Sequence, residues 1–139
     1  MSPAQTFPYS RRITLRWKDN DIYGHVNNVE YYSFFDTVIN EFLIAEGGLD
    51  IHTGETIGLC AESHCDFKAS IEFPGTIEAR LGVARIGKSS VCYEIKLVDE
   101  SDGRELAAGW FVHVFVDRSS RRPSAIPASV RTALQTLIA

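Results

Sequence analysis

Alternation is the first readable pattern. Ile13, Leu15 and Trp17 stand between Arg12, Thr14 and Arg16, the period of two expected of a half-buried strand. Residues 1–10 lack this order and are expected to form a loose N-terminal arm. A turn-rich stretch runs from Lys18 to Asn28. Between Val29 and Ala45 the pattern inverts the usual surface helix, with Tyr31, Tyr32, Phe34, Phe35, Val38, Ile39, Phe42 and Leu43 around most of the circumference. Ser33, Thr37, Asn40 and Glu41 leave a narrow polar stripe, which predicts a helix enclosed by protein on most sides. Gly47-Gly48 supplies its stop.

Four strand patterns follow. Leu59, Ala61, Ser63, Cys65 and Phe67 are expected on one face, against Glu62, His64, Asp66 and Lys68 on the other. Ile77, Ala79, Leu81 and Val83 oppose Glu78 and Arg80, and Val91, Tyr93, Ile95 and Leu97 oppose Cys92, Glu94 and Lys96. Leu106 to Val116 is apolar on both faces, suiting a central strand or one at a subunit contact. Pro74-Gly75, Gly87-Lys88 and Asp102-Gly103 mark the turns. Pro127 opens a short helix with Val130, Leu134 and Leu137 on one side.

An antiparallel sheet with one apolar face needs a cover, and only the Val29–Ala45 helix is apolar enough. The expectation is an α+β fold, a sheet curled around one central helix, in one domain over residues 1–139. Leftover apolar surface on Leu106–Val116 suggests that two such units join edge to edge. Composition changes this picture little: 139 residues, 45% apolar, 23% charged and a net charge of -4 fit an ordinary globular chain. No basic stripe points to nucleic acid, and no run is long and apolar enough for a bilayer. The start has no signal-peptide character, and Cys60, Cys65 and Cys92 read as reduced small fillers, so a cytoplasmic location is expected.

The unusual chemistry is concentrated between the first strand and the helix. Two aspartates, a histidine and two asparagines precede a helix N-terminus, where free backbone N–H groups and the macrodipole favour negative charge. Such donors stabilise an oxyanion, and a carboxylate on the preceding loop can act as nucleophile or general base. The segment Asp21-x-x-Gly24-His25-Val26-Asn27-Asn28-x-x-Tyr31, with Trp17 and Asp19 before it, closely resembles the 4-hydroxybenzoyl-CoA thioesterase-like branch of the hotdog superfamily. Phe73-Pro74-Gly75, Ile86-Gly87-Lys88-Ser89-Ser90 and Ile126-Pro127 extend the resemblance over roughly residues 11–137.

The resemblance implies a hotdog fold, dimeric or tetrameric, and hydrolysis of an acyl thioester without metal or organic cofactor, CoA being part of the substrate. It implies Asp21 as the catalytic carboxylate and the Asn28 N–H as oxyanion donor. Gly24, His25, Val26, Asn27 and Tyr31 would then line the substrate, and Lys88, Ser89 and Ser90 would meet the CoA portion. His25 either orders the loop or assists water. Plant acyl-carrier-protein thioesterases carry a similar stretch, so an acyl-carrier substrate stays open, as does a non-catalytic acyl-CoA binding role. Enzymes of this fold that hydrate acyl thioesters use a second His pairing that is not evident here. Without the resemblance, Asp19 and Asp21 read as turn or capping residues. Glu62, His64 and Asp66 read as a polar outer face rather than a metal site, and His113 as a hydrogen-bonded sheet residue.

Overall fold

The structure, a computed structural model, describes residues 7–138. Five strands form one antiparallel sheet in the order β1-β3-β4-β5-β2: β1 Tyr9–Thr14, β2 Thr56–Phe67, β3 Thr76–Ile86, β4 Ser90–Asp99 and β5 Glu105–Asp117. Helix α1, Asn28–Ala45, crosses the concave face, and α2, Ala128–Gln135, closes the far end against β3. The architecture matches the α+β sheet-around-helix expectation.

The strand alternation is realised most cleanly at the centre. Ile77, Ala79, Leu81, Val83, Val91, Tyr93, Ile95 and Leu97 are all buried and meet a helix stripe of Tyr31, Phe34, Phe35, Val38, Ile39, Phe42 and Leu43. Each such large side chain contributes roughly 1.5–3 kcal/mol of burial free energy. Close approach is purchased at one position. A Cβ on Gly109 of β5 would lie 1.9 Å from the His64 carbonyl oxygen and 2.9 Å from the Phe35 ring, so only glycine lets the ring settle on the strand. Val130, Leu134 and Leu137 are buried as their spacing predicts.

Four expectations are corrected. Tyr9 and Ser10 already belong to β1, so the loose arm expected over 1–10 is shorter; its first six residues lie outside the described residues. Trp17 does not continue the strand. It enters a 3-10 turn, Trp17–Asp19, stands 75% exposed and meets only the edge of the Phe73 ring among aromatic neighbours.

Helix α1 is not enclosed on most sides: Val29 is 66% exposed, and Tyr32, Ser33, Asp36 and Thr37 share that open flank. One sheet covers one side of a helix, and the flank toward β2 has nothing over it among the described residues. Finally, a bulge in β2 between Cys60 and Glu62 shifts the side-chain parity. Leu59 pairs with Val114 on the convex face, whereas Ser63, Cys65 and Phe67 share the concave face with Phe111, Gly109 and Ala107. Alternation counted across the bulge assigned Leu59 to the wrong side. β5 lies inside the sheet between β4 and β2, as its two apolar faces suggest, so it offers no edge for the contact expected of Leu106–Val116; the edge strands are β1 and β2.

Candidate active site

The segment between β1 and α1 is tied down residue by residue. Asp19 is fully buried; its carboxylate accepts from the Arg16 backbone N–H at 2.7 Å and the Arg16 guanidinium at 2.9 Å, while its carbonyl accepts from Asn27 N–H at 2.9 Å. That is the structural role expected of it. The Asn20 side chain accepts from Phe73 N–H at 3.1 Å, and Val26 N–H donates to the Ile71 carbonyl at 2.8 Å. The chain therefore reaches α1 along a fixed path.

Between Asn20 and Val26, which bridge one another, the backbone forms a tight loop. Asp21 N–H donates to the His25 carbonyl at 3.0 Å and Gly24 N–H to the Asp21 carbonyl at 3.1 Å. Gly24 adopts φ 90°, a conformation that side-chain-bearing residues rarely take, although a Cβ there would meet nothing within 4 Å. Glycine is required by the turn and not by crowding. Asp21 Oδ1 accepts from Tyr23 N–H at 2.8 Å, the local turn bond natural to aspartate. Its second oxygen has no hydrogen-bond partner among the described residues.

The start of α1 is selectively capped. Asn27 Oδ1 accepts from Val29 N–H at 3.0 Å, and the Asn27 carbonyl accepts from Glu30 N–H at 3.0 Å. Among the described residues the N–H of Asn28 has no acceptor. Asp21, His25, Val26, Asn28 and Tyr31 line one open cavity of about 370 Å³, together with Phe67, Lys68, Ala69 and Ser70 from the end of β2. Asp21, with one free carboxylate oxygen, and Asn28, with a free N–H, thus line the same cleft. Tyr31 forms its back wall against Phe67, ring centroids 5.2 Å apart. Burial pushes the Tyr31 hydroxyl pKa up, the Cys65 thiol adds to this, and the Arg104 charge opposes it.

Sequence reasoning missed Phe67, Lys68, Ala69, Ser70 and Arg104 as site residues. Only the register of β2 on β5 brings them beside the loop, and no local motif encodes that register. Conversely, Lys88, Ser89 and Ser90 are not brought to Asp21 within the chain. Ser90 pairs with Val114, seven residues along β5 from the Ala107 that faces Phe67, about 23 Å at the usual strand rise. They sit instead beside Arg131, whose guanidinium donates to the Gly87 carbonyl at 2.6 Å and the Lys88 carbonyl at 3.3 Å, while Ile126 N–H donates to the Lys88 carbonyl at 3.0 Å.

The remaining sequence candidates have other partners. His64 stacks on Trp110 at 4.2 Å and pairs with Asp66 at 2.9 Å on the convex face. His113 is buried and shares a 3.0 Å hydrogen bond with the Tyr93 hydroxyl; burial lowers its pKa to about 4. Cys65 is buried, and burial, with Asp66 adding, raises its thiol to about 11, so it is not a nucleophile. Cys60 departs from the filler reading, being exposed on the free edge. No described helix is long and apolar enough to cross a membrane.

An antiparallel sheet cradling one long helix, with a loop carboxylate beside that helix's N-terminus, defines a hotdog-fold protein of the thioesterase kind. Residues 15–134 match the thioesterase-like superfamily, and the chain belongs to it. It is similar to the PA5185 protein of Pseudomonas aeruginosa strain PAO1, with 54% identity, a TM-score of 0.94, and coverage of 98% of this chain and 95% of that one. The gentisyl-coenzyme A thioesterase BH1999 shares the fold at 24% identity and TM-score 0.80, over 91% of this chain and 99% of its own. So does Slr0204 of Synechocystis, a 1,4-dihydroxy-2-naphthoyl-CoA thioesterase, at 16% identity and TM-score 0.84, over 93% and 96%. No protein of curated function matches the sequence.

Proposed function

We propose that this member of the thioesterase-like superfamily hydrolyses acyl-CoA thioesters to the free acid and CoA, with Asp21 as the reacting carboxylate. The observation that carries the reading is that one cleft is lined both by Asp21, which has an unpartnered carboxylate oxygen, and by Asn28, whose N–H neither capping interaction of Asn27 uses. The thioester carbonyl oxygen would accept from Asn28 N–H, which with the helix dipole stabilises the charge that develops on attack. Asp21 either attacks the carbonyl carbon, expelling thiolate and leaving an anhydride that water then opens, or takes a proton from the attacking water. Both routes consume one water and release acid and thiol, and neither needs a metal or organic cofactor.

Two further parts of the reading concern assembly. The free β2 edge and the open flank of α1 favour pairing of two chains through β2. In an antiparallel pairing the partner's sheet runs reversed, so its Lys88, Ser89, Ser90, Arg121 and Arg122 end would approach the cleft of the first chain, suiting CoA phosphates.

The test is thiol release from a panel of acyl-CoAs by the purified chain and by Asp21→Asn. A drop in kcat of about 10²–10⁴-fold is expected for a group that acts as base or nucleophile. Unchanged turnover in the variant would end the assignment. Acid-quenched single turnover with a labelled acyl group separates the two routes by whether label remains on the protein.

A further inference from the structure

The two groups assigned to the chemistry are carried by opposite arms of one hairpin. Asp21 N–H donates to the His25 carbonyl at 3.0 Å and Asn27 N–H to the Asp19 carbonyl at 2.9 Å, one rung on each side of the Asn20–Val26 bridge. Asp21 lies two residues beyond Asp19 on the first arm, and Asn28 directly follows Asn27 on the second. The Asn27–Asp19 rung therefore ties the arm that bears the carboxylate to the residue before the free N–H. Any slip of that rung moves the two groups relative to one another.

A buried charge holds the acceptor of this rung in place. The Asp19 side chain is fully buried, and Arg16 takes up both of its oxygens: Oδ2 accepts from the Arg16 N–H at 2.7 Å and Oδ1 from Arg16 Nη2 at 2.9 Å. Asp19 N–H donates back to the Arg16 carbonyl at 2.9 Å. Arg16 Nη2 also reaches the Glu30 carboxylate, in the first turn of α1, at 3.6 Å. One guanidinium thus joins the base of the hairpin to the helix without passing through the Asp21 loop.

Taking a carboxylate out of water is costly, and a neutral asparagine or serine closes such a turn without that penalty. A buried ion pair adds little net stability; what the planar guanidinium adds is donors at fixed angles. Neither Asp19 nor Arg16 lines the cleft of Asp21, so any effect on the reaction has to pass through the groups they hold. A misplacement of about 1 Å between reacting groups lowers a rate by as much as about 10²-fold.

We propose that Asp19, held by Arg16, is a positioning residue: it sets the separation of the Asp21 carboxylate from the Asn28 N–H, and Arg16 carries that setting to α1 through Glu30. The inference rests on the hydrolase reading above and deepens it.

The experiment measures kcat and KM by thiol release, with the acyl-CoA that the parent turns over fastest, at a temperature where circular dichroism shows every variant folded. Asp19→Asn removes the charge and turns an amide against the guanidinium. Its kcat should fall about 10–100-fold while KM stays within about twofold. Combined with Asp21→Asn, the two losses should not multiply, because the placement of a missing carboxylate no longer affects the rate. Arg16→Gln decides the matter if Asp19→Asn does not fold, since the Arg16 side chain is exposed and its backbone bond to Asp19 survives the change. Its kcat should fall in the same direction by about 3–10-fold. Unchanged kcat in either folded variant, a loss seen only as a raised KM, or full multiplication with Asp21→Asn overturns the positioning role. Collapse in Asp21→Asn beside an intact Asp19→Asn removes the positioning role alone; a parent that hydrolyses no acyl-CoA, or an Asp21→Asn of full turnover, removes both readings.

Discussion

A single buried imidazole ties the stability of the fold to pH. His113 lies in the core among Phe111, Phe115 and Tyr93, and burial holds its pKa near 4, against an ordinary 6.5. The unfolded chain therefore binds a proton that the folded chain refuses throughout that interval. Stability is fully present above about pH 6.5 and declines as the pH falls toward 4, by about 3 kcal/mol in all at 1.36 kcal/mol per unit. Urea denaturation at pH 7.5, 6 and 4.5 should show this loss, and His113→Gln should flatten it while keeping a partner for the Tyr93 hydroxyl. An equal slope in the variant would assign the effect to the carboxylates. Asp99 and Asp117, whose pKa values are lowered by hydrogen bonds from Ser101 and Ser120, contribute their own loss at lower pH.

At the scale of elements, the junction of loop and helix carries both stability and chemistry. Asn27 closes the first turn of α1 and leaves one N–H free. Asn27→Ala should lower stability by about 1 kcal/mol and reduce thiol release as well. Asn27→Asp keeps the cap, so its melting temperature should stay near that of the parent. Its added negative charge beside the oxyanion should still cut kcat, and thermal melts run beside turnover will show whether the two properties separate.

This junction was legible from Asp21 to Tyr31 because its residues are contiguous, and α1 was legible because seven large apolar residues recur at helical spacing. The strands β3 and β4 were legible for the same local reason. What escaped was non-local or irregular. Ser70 and Arg104 reach the site through strand register, the side of Leu59 depends on one inserted residue, and the open flank of α1 reflects how little of a helix one sheet can cover.

For the whole molecule, the unpaired surface is continuous. It runs from Val29 and Tyr32 on α1 to Phe67 and the β2 edge, apolar enough to predict that the chain sediments at about twice its 15.5 kDa mass. Ser63→Lys puts a charge on the concave side of that edge and should yield a monomer with reduced turnover; a monomeric parent of full activity would refute the pairing. The bulge at Ala61 has a consequence for which strands that edge accepts. It divides the edge into two short rulers of opposite phase, so an ordinary strand that matches one half presents the wrong faces to the other. A second copy brings the same interruption and can match both halves across a twofold axis. In the proposed pairing the irregularity would act as a password, admitting the chain's own twin and turning away the stray strands that a long free edge otherwise collects.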